Sequence, residues 1–243
     1  MIFNPSITLY ERTEPFELQV ARGLITGHSL VNIFGYQAAV GTTSVCVWEN
    51  PVAYVYPATA VPITVVSTSA ADTGITKFIS GLNINYEPIS ESIVINGTTS
   101  VVTVNNYFRI NNVRTTIGNA VGTVTFNNNG ITYAKILPNV GQTQMAQYTV
   151  PAGHTFYLTR VDVFSQLSGG SNNYCTYDVR AQLPNGVIYS ILQSPFTQRY
   201  EARRVVPFPY AEKTSLQWHS SANAQTAAIG VVIEGILIKN VPT

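Results

Sequence analysis

Charge is scarce in this chain. Asp, Glu, Lys and Arg make up 10% of its 243 residues, where soluble domains average about 25%. Thirteen Lys and Arg against twelve Asp and Glu leave a net charge of +1, so no positive field draws nucleic acid or an anionic membrane. So few charges also leave exposed strand edges without the repulsion that keeps sheets apart, which points to a surface covered by partners. Cysteine is nearly absent too. Cys46 and Cys175 sit within apolar, strand-like runs, SVCVW and NYCTYDV, and read as buried free thiols rather than a long-range bridge.

Helical periodicity is missing as well. No long segment repeats its apolar residues at a 3.6-residue period, so α-helix is expected to be almost absent. The longest apolar run, Ile229 to Ile238, is broken by Glu234 and is about half the roughly 20 residues that a membrane helix needs. The opening MIFNPSITLYERTEPF has neither a basic leader nor an apolar run of signal-peptide length, so a product made in the cytoplasm is expected. Asn96-Gly97-Thr98 matches a glycosylation acceptor and reads as a turn.

Groups for catalysis are few: three His, three Asp and nine Glu. His28, His154 and His219 have no metal-ligand spacing and read as turn or edge histidines. Glu87 and Glu91 would share one strand face, as would Arg160 and Asp162, and any β-protein offers such pairs by accident. No catalytic residue, metal ligand or cofactor site is assigned, and the chain is not expected to be an enzyme.

What is abundant is the vocabulary of strands and tight turns. Short β-branched and aromatic runs are bounded by Gly, Pro or Asn, and Asn96-Gly97 is the strongest hairpin signal; Asn127 to Gly130 and Leu183 to Gly186 are further turns, and Ser168 to Asn173 is a polar loop. The expected fold is all-β, with two tandem β-sandwich, jelly-roll-like domains. The expected segments are an N-terminal arm at 1–19, a first sandwich at 20–140, a linker at 137–143 and a second sandwich at 144–243. A weak internal echo relates GHSLVNIFGYQ, from Gly27, to GHTFYLTRVDVFSQ, from Gly153.

Strand alternation identifies a candidate interface. From Thr155, residues Tyr157, Val161 and Val163 fall on one face and Phe156, Leu158, Arg160, Asp162 and Phe164 on the other, so both faces carry large apolar groups. In the last strand, Ile229, Val231, Ile233 and Leu237 oppose Val232, Ile236 and Ile238, so it too needs cover on both sides. Arg199, Arg203 and Arg204, near Tyr200 and Glu201, form the one basic cluster and suit interface salt bridges better than a phosphate. The residues assigned to an interface are Tyr157, Arg160, Arg203, Arg204, Val232, Ile236 and Ile238. Fourteen tyrosines leave a glycan as a possible ligand.

The run ISGLNINYEPISESIVINGTTSVVTVNNYFRINNV, then TVTFNNNGITYAKI, QYTVPAGHTFYLTRVDVF and the closing EKTSLQWHSSANAQTAAIGVVIEGILI, resemble a pattern of virion structural proteins of tailed, especially marine, bacteriophages. These are head decoration, knob and fibre proteins. The resemblance implies β-sandwich or jelly-roll domains, a homo-oligomer (often a trimer), a virion location and no catalytic residue. The expectation is a capsid decoration (cement) protein that binds itself and the major capsid protein. The alternative is a tail fibre or knob appendage that binds a host receptor or glycan.

Overall fold

The computed structural model describes residues 14–167 and 172–241. In chain order its elements are α1 (Phe16–Ala21), β1 (His28–Val40), β2 (Val45–Cys46), β3 (Val61–Ser67), β4 (Thr73–Leu82), β5 (Pro88–Asn96), β6 (Val101–Tyr107), β7 (Arg109–Ile117), β8 (Val124–Asn128) and β9 (Ile131–Ile136). There follow β10 (Gln147–Thr149), β11 (His154–Gln166), β12 (Cys175–Gln182), β13 (Ile188–Phe196), β14 (Arg199–Tyr210), β15 (Ser215–Ala222) and β16 (Ala227–Lys239). The fold is all-β, as the turn spacing predicts. Of the expected arm, residues 1–13 lie outside the described residues; so do 168–171 of the polar loop.

Helix α1 was not expected. Its signals are local: Glu17 in the first turn complements the helix dipole, and Gly23, at φ 70°, closes the end. The Leu24 amide donates to the Gln19 carbonyl and the Gly23 amide to that of Val20, the paired bonds of a Schellman motif.

The strands form four antiparallel sheets that pack in pairs. Sheet β1-β16-β11-β14 faces sheet β10-β15-β12-β13, to which β2 adds beside β15. Between them lies one core, with Ile33, Phe156, Leu158, Val163, Tyr177, Trp218, Val231 and Ile233 buried. Sheet β6-β3-β8-β9 faces sheet β5-β4-β7 over a second core that holds Ile63, Ile79, Tyr107, Val113 and Phe126.

The sheets divide the chain differently from the expected segments 20–140 and 144–243. Strands β1 and β2 fall in the first segment but pair with β16 and β15 of the second. The smaller sandwich, β3 to β9, is therefore an insertion between β2 and β10. The chain leaves and returns along adjacent paths, since the Ala146 amide donates to the Val47 carbonyl and Trp48 bridges Met145. The 137–143 stretch is pinned rather than free: the Thr143 amide donates to the Val113 carbonyl, and Arg114 bridges Gln142.

The physical reason for the departure is the echo. Strands β1 and β11 flank β16, both antiparallel to it, with His28 opposite Ile238 and His154 opposite Lys239. Each is preceded by a glycine in the left-handed region, Gly27 at φ 76° and Gly153 at φ 70°. The two segments are similar because they do the same thing on either side of one strand.

A bulge corrects the reading of β11. Its pairing with both neighbours shifts between Leu158 and Arg160, so Thr159 is the extra residue and the faces exchange beyond it. Phe156 and Leu158 then point into the same core as Val161 and Val163. Tyr157, Arg160, Asp162 and Phe164 lie on the outer face, with Thr155 and Gln166 at its two ends. The two cysteines are free and buried, Cys175 in the larger core and Cys46 in the smaller.

Candidate interaction face

The outer face of sheet β1-β16-β11-β14 gathers most of the residues assigned from sequence. Pairing registers define its rows: Leu30, Ile236 and Tyr157; then Asn32, Glu234, Arg160 and Arg203; then Phe34, Val232, Asp162 and Glu201; then Tyr36, Gly230, Phe164 and Arg199. Ile238 continues the outward alternation of β16. Arg204 does not join them. Pairing of β14 with β11 skips from Arg203 to Phe208, which leaves Arg204 in a bulge with its guanidinium 5.5 Å from the centre of the Phe208 ring.

A closed ion-pair network occupies the middle of this face. The Arg199 guanidinium grips Asp162 with two bonds, of 2.8 and 2.6 Å. Arg160 reaches Asp162 at 3.1 Å, Glu201 at 3.1 Å and Glu234 at 3.3 Å, and Arg203 reaches Glu201 at 2.9 Å. Three arginines thus meet three carboxylates. Hydrogen bonds from Arg199, aided by the charges of Arg199 and Arg160, hold the Asp162 carboxyl below the usual carboxylate range against the burial that would raise it. The bond from Arg203 does the same for Glu201. Arg160, Arg199 and Arg203 thus find their ion-pair partners within the chain, and Arg204 stands outside the network.

Apolar groups surround the network. Ile236 is only 6% exposed although it points outward, while Leu30 and Phe164 are open to solvent. Gly230 leaves room for Phe164, whose ring lies where a Cβ would be. A face whose charges are already neutralised, rimmed by aliphatic and aromatic side chains, can be covered by a partner without stranding an ion.

No family model and no curated protein matches the chain. Among solved structures, it is similar to the Gx strain of infectious bursal disease virus at 9% identity and a TM-score of 0.22, over 89% of this chain and 77% of that one. A mutant VP2 protein of the same virus, in T=1 particles, compares at 10% identity and a TM-score of 0.19, over 95% and 80%. Likeness this slight carries nothing about fold or function to this chain.

The candidate acid and histidine residues are held in structural bonds. Glu87 accepts from the Asn83 amide group at 2.8 Å, and the Glu91 carboxylate accepts the backbone amides of Val104 and Asn105. His219 Nε2 meets the side-chain Oε1 of Gln217 at 2.9 Å, and burial pushes its imidazole down to about 4. Among the described residues, no three His, Cys, Asp or Glu side chains gather as a metal site, and no helix is long and apolar enough to cross a membrane.

Sequence reasoning missed Arg109, which ties the inserted sandwich to the larger one. Its buried guanidinium lies 3.9 Å from the Phe108 ring centre and 4.3 Å from that of Tyr56, and it donates to the Ser215 hydroxyl and the Pro57 and Phe108 carbonyls. Apart from the adjacent Phe108, its partners are distant in sequence, and all are neutral, so no local pattern marks it.

Proposed function

We propose that this protein is a virion structural subunit, a decoration protein of a bacteriophage head that binds copies of itself and the major capsid protein. The outer face of the four-stranded sheet is the observation that carries this reading. Its internally paired charges and apolar rim suit lasting burial, and a low overall charge suits a subunit largely covered by neighbours. The resemblance of the strand and turn runs to phage virion proteins supports the setting. Function on this reading is mechanical: buried apolar area fastens adjacent subunits of the shell.

Quantitative mass spectrometry of purified virions tests it. Hundreds of copies per particle are expected; about a dozen would indicate a tail or vertex component, and absence would overturn both.

A second reading, a tail appendage that binds a host glycan, has one observation in its favour. A shallow depression beside β13 and β14 is lined by Tyr174, Tyr200, Phe196, Thr176 and Gln193, and ring faces beside amides and hydroxyls suit a sugar. Binding on a glycan array, lost in Tyr174→Ala, is the result that would favour it.

A further inference from the structure

Two features lie at opposite edges of the sheet β1-β16-β11-β14. At the β14 edge, residues 204–207 leave the ladder between Arg203, opposite Arg160, and Phe208, opposite Leu158. The tip of this bulge is Val205 and Val206, 101% and 80% exposed. Adjacent aliphatic side chains held fully in water are the mark of a contact yet to be made. That contact is not strand addition, because Pro207 and Pro209 remove backbone donors from this edge.

At the β1 edge, a cleft of about 430 Å³ opens between the larger sandwich and the inserted one. Leu30 and Phe34 form one wall, and Phe78, Leu82, Pro88 and Ile89 form the other; its volume is that of a site that encloses a small group of side chains. Leu30 and Phe34 are also outward residues of the candidate face, so cleft and face are continuous. The free charges around the two features are opposite in sign. Arg204, which lies outside the ion-pair network, precedes the valine tip, while Glu87 and Glu91, bonded only to neutral groups, bracket the Pro88–Ser90 wall; Arg114, 5.0 Å from the Phe78 ring centre, is a single cation beside that wall.

We propose that the Val205–Val206 tip of one copy inserts into the cleft beside β1 of the next. This rests on the reading that the chain self-associates and gives that association a direction. Tip and cleft belong to one sheet but to opposite edges, so every copy offers one of each. Such a contact is heterologous, joining copies head to tail into a ring or a filament.

The test is light scattering on the full chain, with circular dichroism as the check on folding. The wild type should have a mass that is a multiple of 26.4 kDa. The double variant Val205→Asp/Val206→Asp, altered only at solvent-exposed positions, should be a monomer. So should Ser90→Arg, which fills the cleft from an exposed wall position and repels Arg204; Leu30→Asp is the second cleft variant. Mixing a tip variant with a cleft variant should restore a two-chain species, because one intact tip then meets one intact cleft. Variants that keep the wild-type mass, or mixtures that stay monomeric, would overturn the tip-and-cleft contact and leave association through the outer face standing. A monomeric wild type would overturn both. Binding of the wild type, but not of the tip variant, to phosphatidylserine vesicles, with mass unchanged between them, would make the tip a membrane contact and overturn the proposal.

Discussion

His28 and His154 occupy matching positions on either side of the end of β16. His28 lies opposite Ile238 and His154 opposite Lys239, and each ring Nδ1 meets the carbonyl two residues before it, Thr26 at 3.1 Å and Ala152 at 2.9 Å. The Lys239 amide donates to the Gly27 carbonyl and the Asn240 amide to that of Gly153. The two turns clamp the last strand from both sides. His28→Ala and His154→Ala should each cost about 1 kcal/mol, the worth of one side-chain hydrogen bond, measured by urea unfolding. Because their carbonyl partners differ, the double variant should lose the sum of the two to within about 0.5 kcal/mol.

The echo that betrays this clamp is legible in the sequence, but its meaning is not. Nothing in GHSLVNIFGYQ or GHTFYLTRVDVFSQ tells whether the two segments open separate sandwiches or flank a common strand far along the chain. Turns such as Asn96-Gly97 fix where strands end, because backbone conformation there is a local matter. Sheet order is set by long-range burial. The Thr159 bulge is hidden for a related reason: an extra residue changes the face of every later side chain without changing composition, so a covered strand reads as apolar on both sides. Of the candidate interface, the outward residues of β16 follow from alternation; Tyr157 and Arg160 share a face only because of the bulge between them, and Arg203 and Arg204, neighbours in one basic cluster, part where β14 leaves the ladder.

The ion-pair network should be unevenly sensitive to mutation. Asp162→Ala removes the acceptor of two arginines and should cost about 1.5–3 kcal/mol. Arg203→Ala, on a side chain 73% exposed, should leave stability close to that of wild type. Since the folded Asp162 carboxyl titrates below its unfolded value, its contribution is complete above about pH 4 and is lost as pH falls through the folded value. Denaturation series at neutral and acid pH should therefore show the gap between wild type and Asp162→Ala closing at the acid end.

Two glycines of β16 make a matched comparison. A Cβ at Gly235 would lie 2.3 Å from the ring of Phe156 and 2.6 Å from the Tyr157 carbonyl, and Phe156 is fully buried. Gly235→Ala should cost about 1–3 kcal/mol through forced movement in the core. At Gly230 the obstacle is the ring of Phe164, which is open to solvent and free to swing aside, so Gly230→Ala should stay within about 1 kcal/mol of wild type. Thermal melts of the two variants give the order, and equal losses would refute the difference in constraint.

Glu49 gives the fold a pH dependence of unusual sign. Its side chain is buried, its Oε1 accepts the Gln144 amide at 2.9 Å, and its Oε2 has no hydrogen-bond partner. Burial pushes the carboxyl up to about 8, against the Gln144 bond and the charge of Lys135, which act to lower it. The folded state therefore holds a proton that the unfolded chain releases above about 4.5. By linkage, this group's effect on stability worsens as pH rises from 4.5 to about 8 and is constant above it. His219 acts the other way: held down to about 4, it withdraws stability as pH falls below 6.5. The difference between Glu49→Gln and wild type cancels the histidine. Glutamine keeps an oxygen for the Gln144 amide and never ionises, so the variant should match wild type near pH 4.5 and become the more stable of the two by pH 8. Urea midpoints across that range measure it, and parallel curves would show that Glu49 ionises in the folded protein as it does in water.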